Sequence, residues 1–189
     1  MKINKALRKQ RKSYKRFMLS MGFVFVLFPS LLYVTRIFDW HLILLLVLVE
    51  ILCALSMVTK YKELNLKYEV TLKNIKIMTR IPKRTNTIPY DAIKGVHFSY
   101  MKNNSILYII VDRKLRGKVW KRLNKLSEND KELVELAERI QNVKEIDQLF
   151  YLSIVSGGFI KQEVLSHLYV RALDAFFSKG AMREIASSK

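Results

Sequence analysis

The hydrophobic pattern of the chain changes character three times. Phe17 to Thr35 (FMLSMGFVFVLFPSLLYVT) runs 19 residues without a charge, and Leu42 to Thr59 (LILLLVLVEILCALSMVT) runs 18 with a single acid, Glu50. A helix needs roughly 20 largely apolar residues to cross a hydrocarbon core of ~30 Å, so the pattern predicts two spans, 17–35 and 42–59. The segment between them, RIFDWH, suits a tight hairpin, and Tyr33 and Trp40 suit the aromatic belts at the interfaces. No small-residue cleavage pattern follows the first run and a second span comes almost at once, which argues against a cleaved signal peptide.

After Lys60 the runs become short and alternating. LKYEVTL (66–72), IKIMTRI (75–81), TIP (87–89), IKGVHFSYM (93–101) and SILYIIVD (105–112) read as strands, and LRGKVWKRL (115–123) as a sixth strand or a helix start. Lys73-Asn74 and Lys102-Asn103-Asn104 supply turns. Closely spaced strands without intervening helices predict an antiparallel meander rather than a parallel sheet. Leu133, Leu136, Ala137 and Ile140 then recur at helical spacing over 131–143, behind Ser127 and Asp130 at the spacing of a capping box. Beyond this the pattern reads as mostly helical. IDQLFYLSIV (146–155) is apolar, too short to span, and stopped by Ser156-Gly157-Gly158; a second helix covers about 159–178; the tail from Ala181 frays. The expected organisation is a basic N-terminus (1–16), a two-helix hairpin (17–59), a sheet domain with a capping helix (60–143) and a helical C-terminal extension (144–189). Those last helices are expected to cover an open sheet edge.

Charge sharpens this picture. Half of the residues are hydrophobic, yet the net charge is +18, and the two properties are segregated. Residues 1–16 carry eight cations and no acid, residues 60–125 seventeen cations against four acids, and the remainder from 126 is slightly acidic. Cations flanking both spans, with only Arg36 offset by Asp39 between them, place both termini in the cytoplasm by the positive-inside rule. A Lys or Arg close to an anionic leaflet is worth ~1 kcal/mol. Lys9, Arg11, Lys12, Lys15 and Arg16 form the first lipid-contact candidate, on a basic helix continuous with span one. Arg80, Lys83 and Arg84 form a second, if their turn faces the bilayer. Lys118, Lys121 and Arg122, around Trp120, form a third. A basic surface also attracts nucleic acid, and Phe98, Tyr100 and Tyr108 give an aromatic sheet. No RNA-recognition signature accompanies them, however, and a membrane tether makes lipid the nearer polyanion, so no nucleic-acid partner is expected.

Catalytic chemistry finds little footing. His41, His97 and His167 fall in unrelated elements, and no zinc-protease, paired-cysteine, nucleophile-elbow or P-loop spacing occurs. No enzyme activity, metal or cofactor is expected. Cys53, the single cysteine, lies inside span two and implies packing rather than a disulfide. The sharpest residue is Glu50. A carboxylate at mid-span costs ~2.5–3.5 kcal/mol on insertion scales and so normally faces protein or water. Cys53, Ala54 and Met57 share its helical face, a small-residue surface suited to helix contact. Two helices cannot easily enclose the carboxyl, so a partner helix, from another membrane protein or a second copy, is implied.

Two spans followed by a β meander carrying Ile77, Arg80, Ile81, Pro82, Arg84, Ile88, Pro89, Tyr90, Asp91, Ile93 and Val96, then one acidic helix, resembles the bacterial pleckstrin-homology-like membrane proteins. The resemblance covers residues 66–143 and the architecture of the spans. It implies an α+β cytoplasmic domain on a membrane α-helical hairpin. The domain would be a small antiparallel barrel or strongly bent sheet closed by a helix, with the IPYDAI step as a corner between strands. Pro89 ends one strand, Asp91 bonds the turn, and Ile88, Ile93 and Val96 enter the core. The reading that follows is a non-enzymatic, membrane-anchored scaffold or adaptor that oligomerises or docks a partner. Alternatives are an immunity or envelope-stress protein against membrane-active peptides, a role some relatives of this architecture have, and a small accessory subunit of a transport complex.

Overall fold

A computed structural model describes residues 2–36, 39–63, 66–80, 83–101, 104–116, 119–123, 130–144 and 148–188. The chain divides into two compact units, Asn4–Leu64 and one built from Asn65–Lys189. The first is a pair of helices, α1 (Lys2–Thr35) and α2 (Trp40–Glu63). Both are long and apolar enough to cross a membrane. The basic segment and the first apolar run are one uninterrupted helix, because nothing in Lys2–Arg16 breaks it. At the far end Arg36 takes the left-handed conformation (φ 56°) and its N–H bonds the Leu32 carbonyl at 3.1 Å, closing the last turn. Most large apolar side chains of both helices, among them Phe23, Leu44, Leu48 and Leu55, point away from the pair and stay exposed.

The second unit holds two sheets. β1 (Leu66–Val70), β2 (Asn74–Arg80) and β3 (Lys83–Pro89) form an antiparallel meander with Leu66 opposite Thr79 and Asn74 opposite Pro89. β4 (Ile93–Met101) and β5 (Asn104–Val111) begin the second sheet as a hairpin. β6 (Lys121–Arg122), β7 (Phe150–Ile154) and β8 (Phe176–Phe177) complete it in the order β6-β7-β5-β4-β8, with β8 parallel to β4. The helices are α3 (Lys131–Lys144), α4 (Ile160–Arg171) and α5 (Lys179–Ser188).

Alternation places a core on each face of the five-stranded sheet. Leu107, Ile109 and Val111 of β5, with Phe150, Leu152 and Ile154 of β7, face sheet one (Ile75, Ile77, Ile88) and the buried sides of α4 and α5. Tyr108, Ile110 and Tyr151 face the opposite way, against Leu133, Leu136 and Ile140 of α3. A bulge between Ile93 and Gly95 shifts the phase of β4, so Ile93 and Val96, three apart, both reach the first core. Gly95 itself faces Ile140, where a Cβ would sit 2.5 Å from the Ile140 Cδ1.

Several expectations need correction. The sheets do not close into a barrel: β3 passes to β4 through the Tyr90–Ala92 corner, and the described strands stay in two separate sheets. The region 144–189 is not a purely helical extension, since β7 lies between β5 and β6 in the middle of a sheet and β8 covers part of the β4 edge. The helix expected over 159–178 stops at Arg171, and the tail expected to fray forms α5, whose Ala181 and Ile185 are buried. Of 115–123, expected as a sixth strand or a helix start, the described residues pair as a strand only at Lys121–Arg122, while TIP lengthens to the seven residues of β3.

Candidate functional site

The hairpin contains the one acid within the apolar runs. Glu50 is half-buried on α2, Cys53 is buried, Met57 is half-buried and Ala54 is exposed. Gly22 of α1 faces Met57: a Cβ there would lie 4.0 Å from the Met57 Cε, an ordinary contact. Nearer the turn, Phe28 and Leu31 of α1 line a shallow apolar cleft with Leu42 and Leu45 of α2. Cys53 and Met57 therefore pack toward α1, while Ala54 faces outward among Ile51, Leu52 and Leu55, all more than half exposed. The four residues predicted as one contact face divide between the hairpin's own seam and its outer surface.

The cationic candidates are placed as follows. Lys9, Arg11, Lys12, Lys15 and Arg16 are exposed along α1. Lys121 and Arg122 are exposed on β6, but Trp120 beside them is buried, so that ring offers no surface for a headgroup. Lys118, with Ser127 of the expected capping box, lies outside the described residues. The backbone of Arg80, Lys83 and Arg84 flanks the β2–β3 turn, with Arg80 opposite Lys83 and Thr79 opposite Arg84; their side chains fall outside the described residues.

At the corner, Pro89 ends β3, the Tyr90 N–H bonds the Lys73 carbonyl at 3.1 Å and the Asp112 N–H bonds the Ala92 carbonyl at 3.1 Å. Asp91 accepts from the Arg113 guanidinium at 2.9 Å and from the Ala92 N–H, and that pairing holds its carboxyl below the usual range. Asp112 pairs with Lys94 across the strand pair at 3.4 Å. The side chains that decorate the corner thus brace it.

The unit also buries polar groups that sequence reasoning passed over. His97 is 1% exposed on β4; its Nδ1 lies 2.8 Å from the Ser178 Oγ and its Nε2 3.0 Å from the Asp130 Oδ2. The carboxylate can only accept, so Nε2 carries a proton, and in the neutral ring Nδ1 accepts from the Ser178 hydroxyl. Ser178 Oγ also accepts the Ala181 N–H at 3.1 Å as the N-cap of α5. Asp130 caps α3, its carboxylate bonded to the Leu133 N–H, so it is the N-cap itself and not the third helical residue that the capping-box spacing implied. Burial pushes the Asp130 carboxyl up, but bonds from His97 and Ser99 outweigh this and leave it low. A serine, a histidine and an aspartate in line invite comparison with a nucleophile triad. Here the hydroxyl is buried and engaged in capping, and the trio ties β4 to the first turns of two helices.

Lys161 of α4 is 2% exposed and donates to the carbonyls of Val155, at 2.7 Å, and Ser105. Burial without a carboxylate partner pulls its pKa down to about 8. Glu184 of α5 accepts from the Tyr100 hydroxyl and the Gln162 amide, and burial with Glu184 pushes the Tyr100 phenol up to about 12. Glu132 accepts the Gly180 N–H at 3.0 Å. Each group joins elements distant in sequence, and only Ser178 before the LysGly start of α5 leaves a local trace. No group of three or more His, Cys, Asp or Glu positioned to hold a metal occurs among the described residues.

Comparison with protein-family models, with curated proteins and with solved structures gives no match. What stands is two long apolar helices followed by a small domain of two sheets and helices.

Proposed function

We propose that this chain is a non-enzymatic membrane-anchored scaffold that docks a partner helix, or a second copy of itself, through α2 and holds its sheet domain at the cytoplasmic face. One observation carries the reading: Glu50, the one acid within the two apolar runs, is only half-buried on α2, with Ile51 54% and Leu52 55% exposed beside it. In a bilayer that carboxyl needs a polar partner, and no hydrogen bond or ion pair to it occurs among the described residues. The exposed Ala54 one turn on gives a small-residue surface where another helix approaches closely. The resemblance to the pleckstrin-homology-like membrane proteins belongs to the same reading, resting on the corner at Pro89–Ile93 and the meander before it, with the sheets left unclosed.

The test is Glu50→Gln in the full chain, purified in mild detergent. Insertion should be unchanged, and the associated fraction on native mass analysis should fall several-fold. An unchanged mass distribution, or a wild-type chain that is monomeric and purifies alone, counts against the partner helix.

A further inference from the structure

The burial pattern divides α2 lengthwise. Leu46, Val49, Cys53 and Met57 are buried or half-buried along one side, whereas Val47, Ile51, Ala54 and Val58 are exposed along the other. At about 100° of turn per residue Glu50 falls on the border between these sides, with Val47 and Ala54 flanking it on the exposed one. The serine and threonine hydroxyls of the apolar runs are spent or distant. Those of Ser30 and Thr35 donate to the Val26 and Leu31 carbonyls of their own helix, at 2.8 and 2.9 Å. Those of Ser56 and Thr59 donate to the Leu52 and Ser56 carbonyls, again at 2.8 and 2.9 Å. Ser20 lies beyond Gly22 on α1, and Gly22 already faces Met57, about two turns of α2 from Glu50. That leaves the partner of the carboxyl to come from outside the hairpin.

What a second copy brings decides the chemistry of that partner. Neither apolar run contains a cation: Phe17 to Thr35 has no charge, and Leu42 to Thr59 has only Glu50. Copies of one chain insert the same way round, so a second copy sets its own Glu50 at the same depth, carboxylate against carboxylate. Like charges in a medium of low dielectric repel strongly, whereas a cation there satisfies the acid. We infer that the Glu50 border of α2 takes a membrane-spanning helix of another protein that carries a lysine or arginine near its middle. The ammonium or guanidinium donates to the carboxylate, and each charge removes the other's cost of burial in hydrocarbon. Ala54, exposed one turn on, lets the two backbones come close enough for that pairing. This site rests on the docking through α2 proposed above, and the test separates the two.

The full chain, affinity-tagged, is co-expressed with a model single-span helix of leucine and alanine whose central residue is lysine, leucine or glutamate. Membranes are dissolved in mild detergent, and the helix captured per chain is measured. The wild-type chain should capture the lysine helix at least five-fold more than the leucine helix. Glu50→Gln should abolish that preference, and Glu50→Lys should transfer it to the glutamate helix. Ala54→Phe should lower capture of the lysine helix whatever the charge at position 50 does. Equal capture of the lysine and leucine helices by the wild type overturns the cationic partner. Preference for the glutamate helix also overturns it, and marks two acids sharing a proton, hence a second copy. In either case a loss on Ala54→Phe leaves docking through α2 standing. Capture of all three helices at the Ala54→Phe level removes the docking surface itself.

Discussion

At the scale of single residues, what the unit buries is more informative than what it displays. Lys161 is charged in the unfolded chain up to its ordinary pKa of 10.5, but in the folded chain only up to about 8. Between those values the unfolded state holds one more proton, so this residue makes stability rise with pH from about 8 toward 10; below that window its contribution is flat and lowest. The gain is of the order of 1–3 kcal/mol. Above pH ~10 the buried phenols, raised in the folded state by burial, oppose it. Denaturant unfolding followed through the buried Trp120 should show the rise between pH 8 and 10, and Lys161→Met should flatten it. A wild-type profile without that slope would mean the ammonium is solvated. Sequence alone could not announce Lys161, because a lysine at the first turn of an amphipathic helix reads as surface. It is inside because β5 begins and β7 ends there with carbonyls to satisfy. Glu50 was legible for the opposite reason: nothing nearby in the sequence is polar.

At the scale of elements, the helices of the sheet unit are held by their first turns. His97 reaches both N-caps, and Gly180 lets α5 lie against β4, where a Cβ would be 2.5 Å from the Phe98 carbonyl oxygen. Backbone cannot yield there, so Gly180→Ala should cost about 1–3 kcal/mol in denaturant unfolding. Gly22→Ala should be close to neutral, its Cβ meeting only the Met57 terminus at 4.0 Å. Similar losses for both would show that general helix effects, not the close approach, decide. The half-buried strands were readable in the pattern because their two faces differ. β7 was not: Phe150, Tyr151, Leu152 and Ile154 are buried on both faces, so alternation vanishes and a short apolar run looks helical. The break after Arg171 was hidden as well. Neither Gly nor Pro marks it, and Phe176 pairs with Gly95 through a contact 81 residues away in sequence.

At the scale of the whole molecule, the two units follow different rules. In the helix pair, composition is decisive, and the cations in the first half of α1 and at the end of α2 set the expected direction of insertion. Cysteine introduced at Asp39, with Cys53→Ser, should react with an impermeant reagent only from outside the cell, and one introduced at Met182 of α5 only after the membrane is opened. The reverse pattern would overturn the topology and remove the cytoplasmic scaffold with it. In the sheet unit composition decides little, and partners distant in the chain decide most.

The late position of β7 has a consequence for biosynthesis. Val111 and Ile154, which bound the wait between β5 and its neighbour, emerge roughly 2–9 s apart at ~5–20 residues per second. Throughout that interval β5 exposes an apolar strand with one unpaired edge to any copies translated from the same message. A nascent chain in this condition is a substrate for strand exchange and for quality-control proteases. A premature stop after α3 would make the condition permanent, so the last quarter of the message decides whether the protein survives its own synthesis.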